Sequence, residues 1–99
     1  MEIKISDQAV NWFKEEVEVS SGNTVKFQAK YGGNSPIHPG FSLAFSINEP
    51  LDETIASTEK EGITFFIDST DAWYFDGYQL IVDYDQDKDE VAYDYKKEK

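Results

Sequence analysis

His38 is the one histidine of the chain, and it lies in a stretch of unusual composition, YGGNSPIHPG, from Tyr31 to Gly40. An imidazole can ligate a metal, take up a proton or sense pH. Flanked by Pro36, Ile37 and Pro39, His38 is equally suited to packing a loop. Ser35 and Ser42 are its nearest hydroxyls in sequence, but a serine–histidine pair without an oxyanion motif is a weak sign of nucleophilic catalysis. Gly32, Gly33 and Gly40 suit an anion cradle, yet no helix is expected directly after them, as a phosphate-binding loop requires. Their plainer use is to supply backbone angles that turns demand.

A second group of chemically capable residues is acidic. Asp83, Asp85, Asp87 and Asp89 open like a calcium-binding loop. That loop needs Gly at its sixth place and Glu at its twelfth; counted from Asp83, those places hold Lys88 and Asp94. A solvated acidic segment is the better reading. The metal-ligand candidates are therefore His38, Asp83, Asp85 and Asp87, and none is compelling. Trp12, Trp73, Tyr74 and Phe75 read as core and rim, not as a ligand-stacking box.

The elements that must position these residues follow from hydrophobic periodicity. Val25, Phe27 and Ala29 alternate with Lys26, Gln28 and Lys30, and Phe41, Leu43 and Phe45 alternate with Ser42, Ala44 and Ser46. The period of two predicts strands over Val25–Lys30 and Phe41–Ile47, joined by a long loop from Tyr31 to Gly40. Before them, Ile3 and Ile5 form a short opening strand. Ser6 and Asp7 then offer an N-cap to an amphipathic helix whose apolar stripe holds Ala9 or Val10, Phe13 and Val17. Ser20 to Asn23 is expected to stop that helix, with Gly22 near its C-cap. Beyond Pro50, a hairpin turns at Glu59-Lys60-Glu61-Gly62, Ala72–Phe75 makes a helical turn, and Gln79–Tyr84 forms an apolar strand. From about residue 85 the chain is an acidic tail in which Val91, Tyr93 and Tyr95 alternate, fit to add an edge strand or to stay mobile.

Composition narrows the partners. The 99 residues suit a single domain over 1–99 without internal repeat. Nine lysines, no arginine and twenty acidic residues give a net charge of −11, which repels nucleic acid and anionic membranes. There is no cysteine, so disulfides, thiolate ligation and cysteine nucleophiles are excluded. No apolar run spans a bilayer and MEIKISDQ lacks a signal-peptide core, so a cytoplasmic location is expected.

Several stretches, in order, resemble the HesB-like domain of the A-type (IscA-like) iron–sulfur carriers. ISDQAV resembles the family's helix entry. Phe41 to Phe45 followed by Glu49-Pro50 resembles its Y-x-L-x-F strand and the corner after it, and Tyr74-Phe75-Asp76-Gly77 with Gln79-Leu80 resembles its [FY]-L-D-G-x-x-[LI] segment. The glycine-rich loop further resembles a cysteine-less, YneR-like branch of Gram-positive bacteria. The resemblance implies an α+β fold, HesB-like, mostly β with one main N-terminal amphipathic helix. It also implies a first ligand position at or beside Asn34. With no cysteine there, and with an acidic tail where the family's C-G-C pair would stand, no iron–sulfur cluster and no other cofactor is expected.

The expected function is thus a non-enzymatic, acidic, cysteine-less relative of iron–sulfur cluster assembly proteins that binds an unknown protein partner as an adaptor. The alternative is a weak divalent-metal binder using His38 and carboxylates. The expected interaction loop comprises Tyr31, Gly32, Gly33, Asn34, Ser35, His38 and Gly40.

Overall fold

A computed structural model describes residues 1–98. The chain forms β1 (Ile3–Ile5), α1 (Asp7–Glu16), β2 (Thr24–Asn34), β3 (Pro39–Ile47), β4 (Thr54–Lys60), β5 (Ile63–Asp68), a 3-10 turn (Ser69–Asp71), α2 (Ala72–Phe75), β6 (Tyr78–Asp85) and β7 (Glu90–Lys97). The strands make two sheets, one ordered β1-β6-β7 and the other β3-β2-β5-β4. The β2–β3, β4–β5 and β6–β7 pairs are antiparallel, whereas β1–β6 and β2–β5 are parallel.

This corrects the expected fold class. Instead of an α+β domain of HesB-like type built on one main N-terminal helix, the described residues are mostly β, with seven strands in two sheets and two short helices. The physical reason lies at the end of α1. Ser6 caps it as expected, its Oγ accepting from the Ala9 N–H at 3.1 Å. The helix then stops at Glu16, because Glu18 adopts a left-handed φ of 63° and the Val19 N–H turns back to the Phe13 carbonyl at 3.3 Å. Gly22, expected near the cap, belongs instead to the turn that meets the β4–β5 hairpin through the Gly62 carbonyl at 2.9 Å. Ten helical residues bury only Ala9, Val10 and Phe13. The rest of the core comes from strands, with Val25, Phe27, Ile63, Phe65, Ile67, Leu80 and Val82 almost fully enclosed. Phe13 is the point of contact, its ring 5.1 to 6.2 Å from Phe45, Phe65 and Phe27 in edge-on geometry.

Two further corrections concern strand length. The expected ten-residue loop shrinks to Ser35–His38, since β2 runs on to Asn34 and β3 begins at Pro39. The ladder persists through a register shift between Tyr31 and Asn34, where Gly32 and Gly33 have φ of 109° and 67°. The acidic tail forms β7, paired with β6 from Tyr78↔Lys97 to Asp85↔Glu90. Val91, Tyr93 and Tyr95 pack against the core and hold the strand in place.

Candidate functional site

The ends of β2 and β3 fold over α2. Past Phe27, β2 has outrun its parallel partner, and the Asp71 carboxylate takes over by accepting the Ala29 N–H at 3.2 Å. Asp68 caps the 3-10 turn before α2, accepting from the Thr70 Oγ at 2.9 Å; that hydroxyl holds its carboxyl below the usual carboxylate range. Asp76, in left-handed conformation with φ 34°, ends α2.

What these contacts assemble is an aromatic cluster around His38. The imidazole lies parallel to the Tyr74 ring at 5.9 Å and edge-on to Phe41 at 5.1 Å and Trp73 at 5.0 Å. Phe41 and Trp73 touch at 5.0 Å, and Tyr31 adds a further edge at 5.6 Å from Phe41. Beneath them the Tyr74 and Tyr95 hydroxyls are 2.8 Å apart. Burial and that bond push the Tyr95 phenol well above its ordinary pKa. Tyr31 is 85% exposed and Trp73 47%, which makes an aromatic surface patch on a rigid base.

The interaction-loop residues divide into two groups. Tyr31 and His38 join the cluster. Asn34, Ser35 and Gly40 hold the connection, with Asn34 Oδ1 accepting from the Gly40 N–H at 2.9 Å and Ser35 Oγ from the His38 N–H at 3.0 Å. Gly40 (φ 85°) and the Gly32-Gly33 pair supply left-handed turns. From sequence Trp73 reads as core and rim, and its spacing from His38 holds no signal of their contact. Only the docking of α2 under the hairpin brings them together.

The acidic candidates lie at the other end of β6. Asp83 accepts from the Tyr84 N–H at 2.8 Å, and Asp85 caps the β6–β7 turn through the Asp87 N–H at 3.0 Å. Asp89 accepts from the Tyr84 hydroxyl, which raises the Tyr84 pKa, and its carbonyl accepts from the Trp12 indole N–H at 3.2 Å. Among the described residues no three His, Asp or Glu side chains are grouped to hold a metal ion. His38 Nδ1 is enclosed with no hydrogen-bond partner among the described residues, and its ring is packed on aromatic rings. Nor is any helix of the described residues long and apolar enough to cross a membrane.

No family model matches the chain. Among known proteins it is similar to one from Bacillus subtilis called pyruvate dehydrogenase inhibitor, 43% identical over 97% of this chain and 100% of that protein. Uncharacterized proteins of Staphylococcus saprophyticus and Staphylococcus aureus (strain MRSA252) are 39% and 35% identical, over 94% and 97% of this chain. These relatives correct the expected identity and function. None of them is named for iron–sulfur assembly, and the one with a functional name is called an enzyme inhibitor. The HesB-like, IscA-like resemblance fails, and with it the readings as an assembly-family adaptor and as a weak metal binder. Asn34, at or beside the position that the resemblance implies for a ligand, closes the hairpin by accepting the Gly40 N–H. The chain belongs to the protein family that includes the Bacillus subtilis protein named pyruvate dehydrogenase inhibitor.

Proposed function

We propose that this protein inhibits a pyruvate dehydrogenase by binding it, acting in the cytoplasm without a cofactor and without catalysing a reaction. The observation that carries the reading is end-to-end similarity to the named inhibitor, 43% identity with all of that protein covered. The surface supports a binding role. Tyr31 and Trp73 present aromatic area from a backbone already locked by Asn34, Ser35 and Asp71, so little entropy is lost on contact. His38 supports it too, since its ring is committed to packing against three aromatic neighbours. The test is an assay of NADH formation by the Bacillus subtilis pyruvate dehydrogenase complex with increasing amounts of the purified chain. Saturable inhibition at a fixed ratio of chain to enzyme is expected. A rate that stays constant with the chain in large excess refutes the reading.

A further inference from the structure

The two sheets pack face to face, with Phe27 of β2 on Tyr93 of β7 at 5.9 Å. On one side β1 packs near β4, whereas β3 and β7, which end the two sheets on the other side, are each paired with a single strand among the described residues. Between them runs a groove of about 440 Å³ lined by Leu43, Ala44 and Phe45 of β3, Val91 and Tyr93 of β7, and Trp12. Each of these six residues is half-buried, so the apolar floor is open to solvent. An edge strand turns half of its N–H and C=O groups away from its sheet, where they can pair with an incoming strand.

The groove has distinct ends. Phe41 ties one end of β3 to Trp73 and, through Tyr74, to Tyr95 of β7. Phe45 ties the other end to Trp12, 6.1 Å away, and so to the β6–β7 turn at Asp89. The exposed aromatic patch is therefore one mouth of the groove, and the acidic turn is the other. Around the acidic mouth, Glu90 lines the groove itself, and Glu15, Glu16 and Asp89 line the hollow on the far side of Trp12. Asp83, Asp85, Asp87 and Asp94 line a separate hollow on the outer face of the β6–β7 pair, where Ile81, Asp83, Ala92 and Asp94 alternate with the core-facing Val82, Val91 and Tyr93. The carboxylates of the mouth itself are therefore Glu90, Glu15, Glu16 and Asp89. No lysine lines any of the three, and none of these carboxylates is in an ion pair among the described residues.

From this arrangement we infer that the groove between β3 and β7 receives an extended, lysine- or arginine-rich segment of a partner protein, added as a strand to β3. Its alternate side chains enter the apolar floor, while its cations face the carboxylates of the acidic mouth. A second copy of this chain is a poor occupant, because it brings a net charge of −11 to the same rim. The inference deepens the inhibitor reading by naming a surface and a partner chemistry, and it rests on that reading only for the partner's identity.

The experiment uses a synthetic peptide of alternating lysine and valine as long as β3, nine residues, titrated into the full chain and followed by amide NMR. Amides of Leu43–Phe45 and Val91–Tyr93 are expected to shift. A glutamate–valine peptide and a peptide N-methylated at alternate residues should each bind roughly tenfold more weakly, as loss of charge pairing and of strand pairing requires. Glu15→Lys with Glu90→Lys should weaken the lysine peptide by a similar factor, with the unfolding midpoint unchanged. Three results overturn the inference: no binding, shifts confined to Asp83–Asp94, or N-methylation without effect. A dimer of the free chain with the same amides protected assigns the groove to a second copy and overturns it as well. Pyruvate dehydrogenase takes no part in the titration, so a failed inhibition assay refutes the inhibitor reading and leaves this one standing.

Discussion

The Asp71 carboxylate accepts the Ala29 N–H at 3.2 Å, forty-two residues away along the chain. β5 ends at Asp68, so β2 beyond Phe27 has no parallel partner to take its outward donors. The side chain stands in for the missing strand and pins α2 to the hairpin. Asp71→Ala should cost about 1–3 kcal/mol by leaving a part-buried donor unpaired, and Asp71→Asn should recover most of that. Denaturant unfolding measures the loss, and the fluorescence of Trp73, read in a Trp12→Phe background, reports whether the patch loosens with it.

Gly62 admits no side chain. Glu61 and Gly62 have φ of 53° and 79°, the pattern of a tight hairpin turn, and a Cβ on Gly62 would collide with Ser21. Gly62→Ala should lose about 1–3 kcal/mol through strain and displacement of the Ser20–Asn23 turn. An unchanged chemical-denaturation midpoint would show that the turn yields freely.

Phe13→Ala should destabilise by about 3–5 kcal/mol, as truncation of a fully buried ring does. Phe45→Ala should cost less, about 2–3 kcal/mol, since Phe45 is half-buried at the groove. Equal losses would mean that the groove is closed in solution.

Asp68 makes stability depend on acid. Its folded pKa lies below the ordinary carboxylate value, chiefly through the Thr70 hydroxyl. The stabilisation is therefore present above the unfolded pKa of about 3.9 and is lost as the pH falls through the lower folded value. Thr70→Val should flatten the acid limb of a stability profile recorded from neutral pH downward. A limb of unchanged steepness would place the acid sensitivity elsewhere.

Tyr31→Ala with Trp73→Ala should weaken inhibition of pyruvate dehydrogenase by roughly thirtyfold, about 2 kcal/mol, as loss of exposed aromatic anchors does. The melting temperature should fall by only a few degrees, because Tyr31 is 85% exposed and Trp73 covers the edge of the aromatic cluster and not the main core. Asn34 and His38 make poorer probes, since Asn34 latches the hairpin and His38 is packed beneath Trp73.

Much of the local structure was legible in the residues. The alternation of Val25 to Lys30 and Phe41 to Ile47, the Ser6 cap, the turn at Gly62 and the short helix at Ala72–Phe75 each follow from an interaction spanning a few residues. The candidate site was legible only in part. Tyr31 and His38 drew attention through their glycine- and proline-rich setting, while Trp73 carried no sign that it completes the same cluster.

What the sequence determined by itself was chemistry by exclusion and local shape. Without cysteine no thiolate can form, and with a charge of −11 no polyanion is welcomed. Tertiary structure decided which stretches became strands at their full length and which side chains meet. β7 exists because β6 offers a ladder and the core accepts Val91, Tyr93 and Tyr95. β2 runs past β5 because β3 pairs it on one edge and Asp71 accepts a donor on the other. The open seam between β3 and β7 depends on sheet order alone. These outcomes turn on contacts between residues tens of positions apart, which no window on the chain brings together and only the closed fold does.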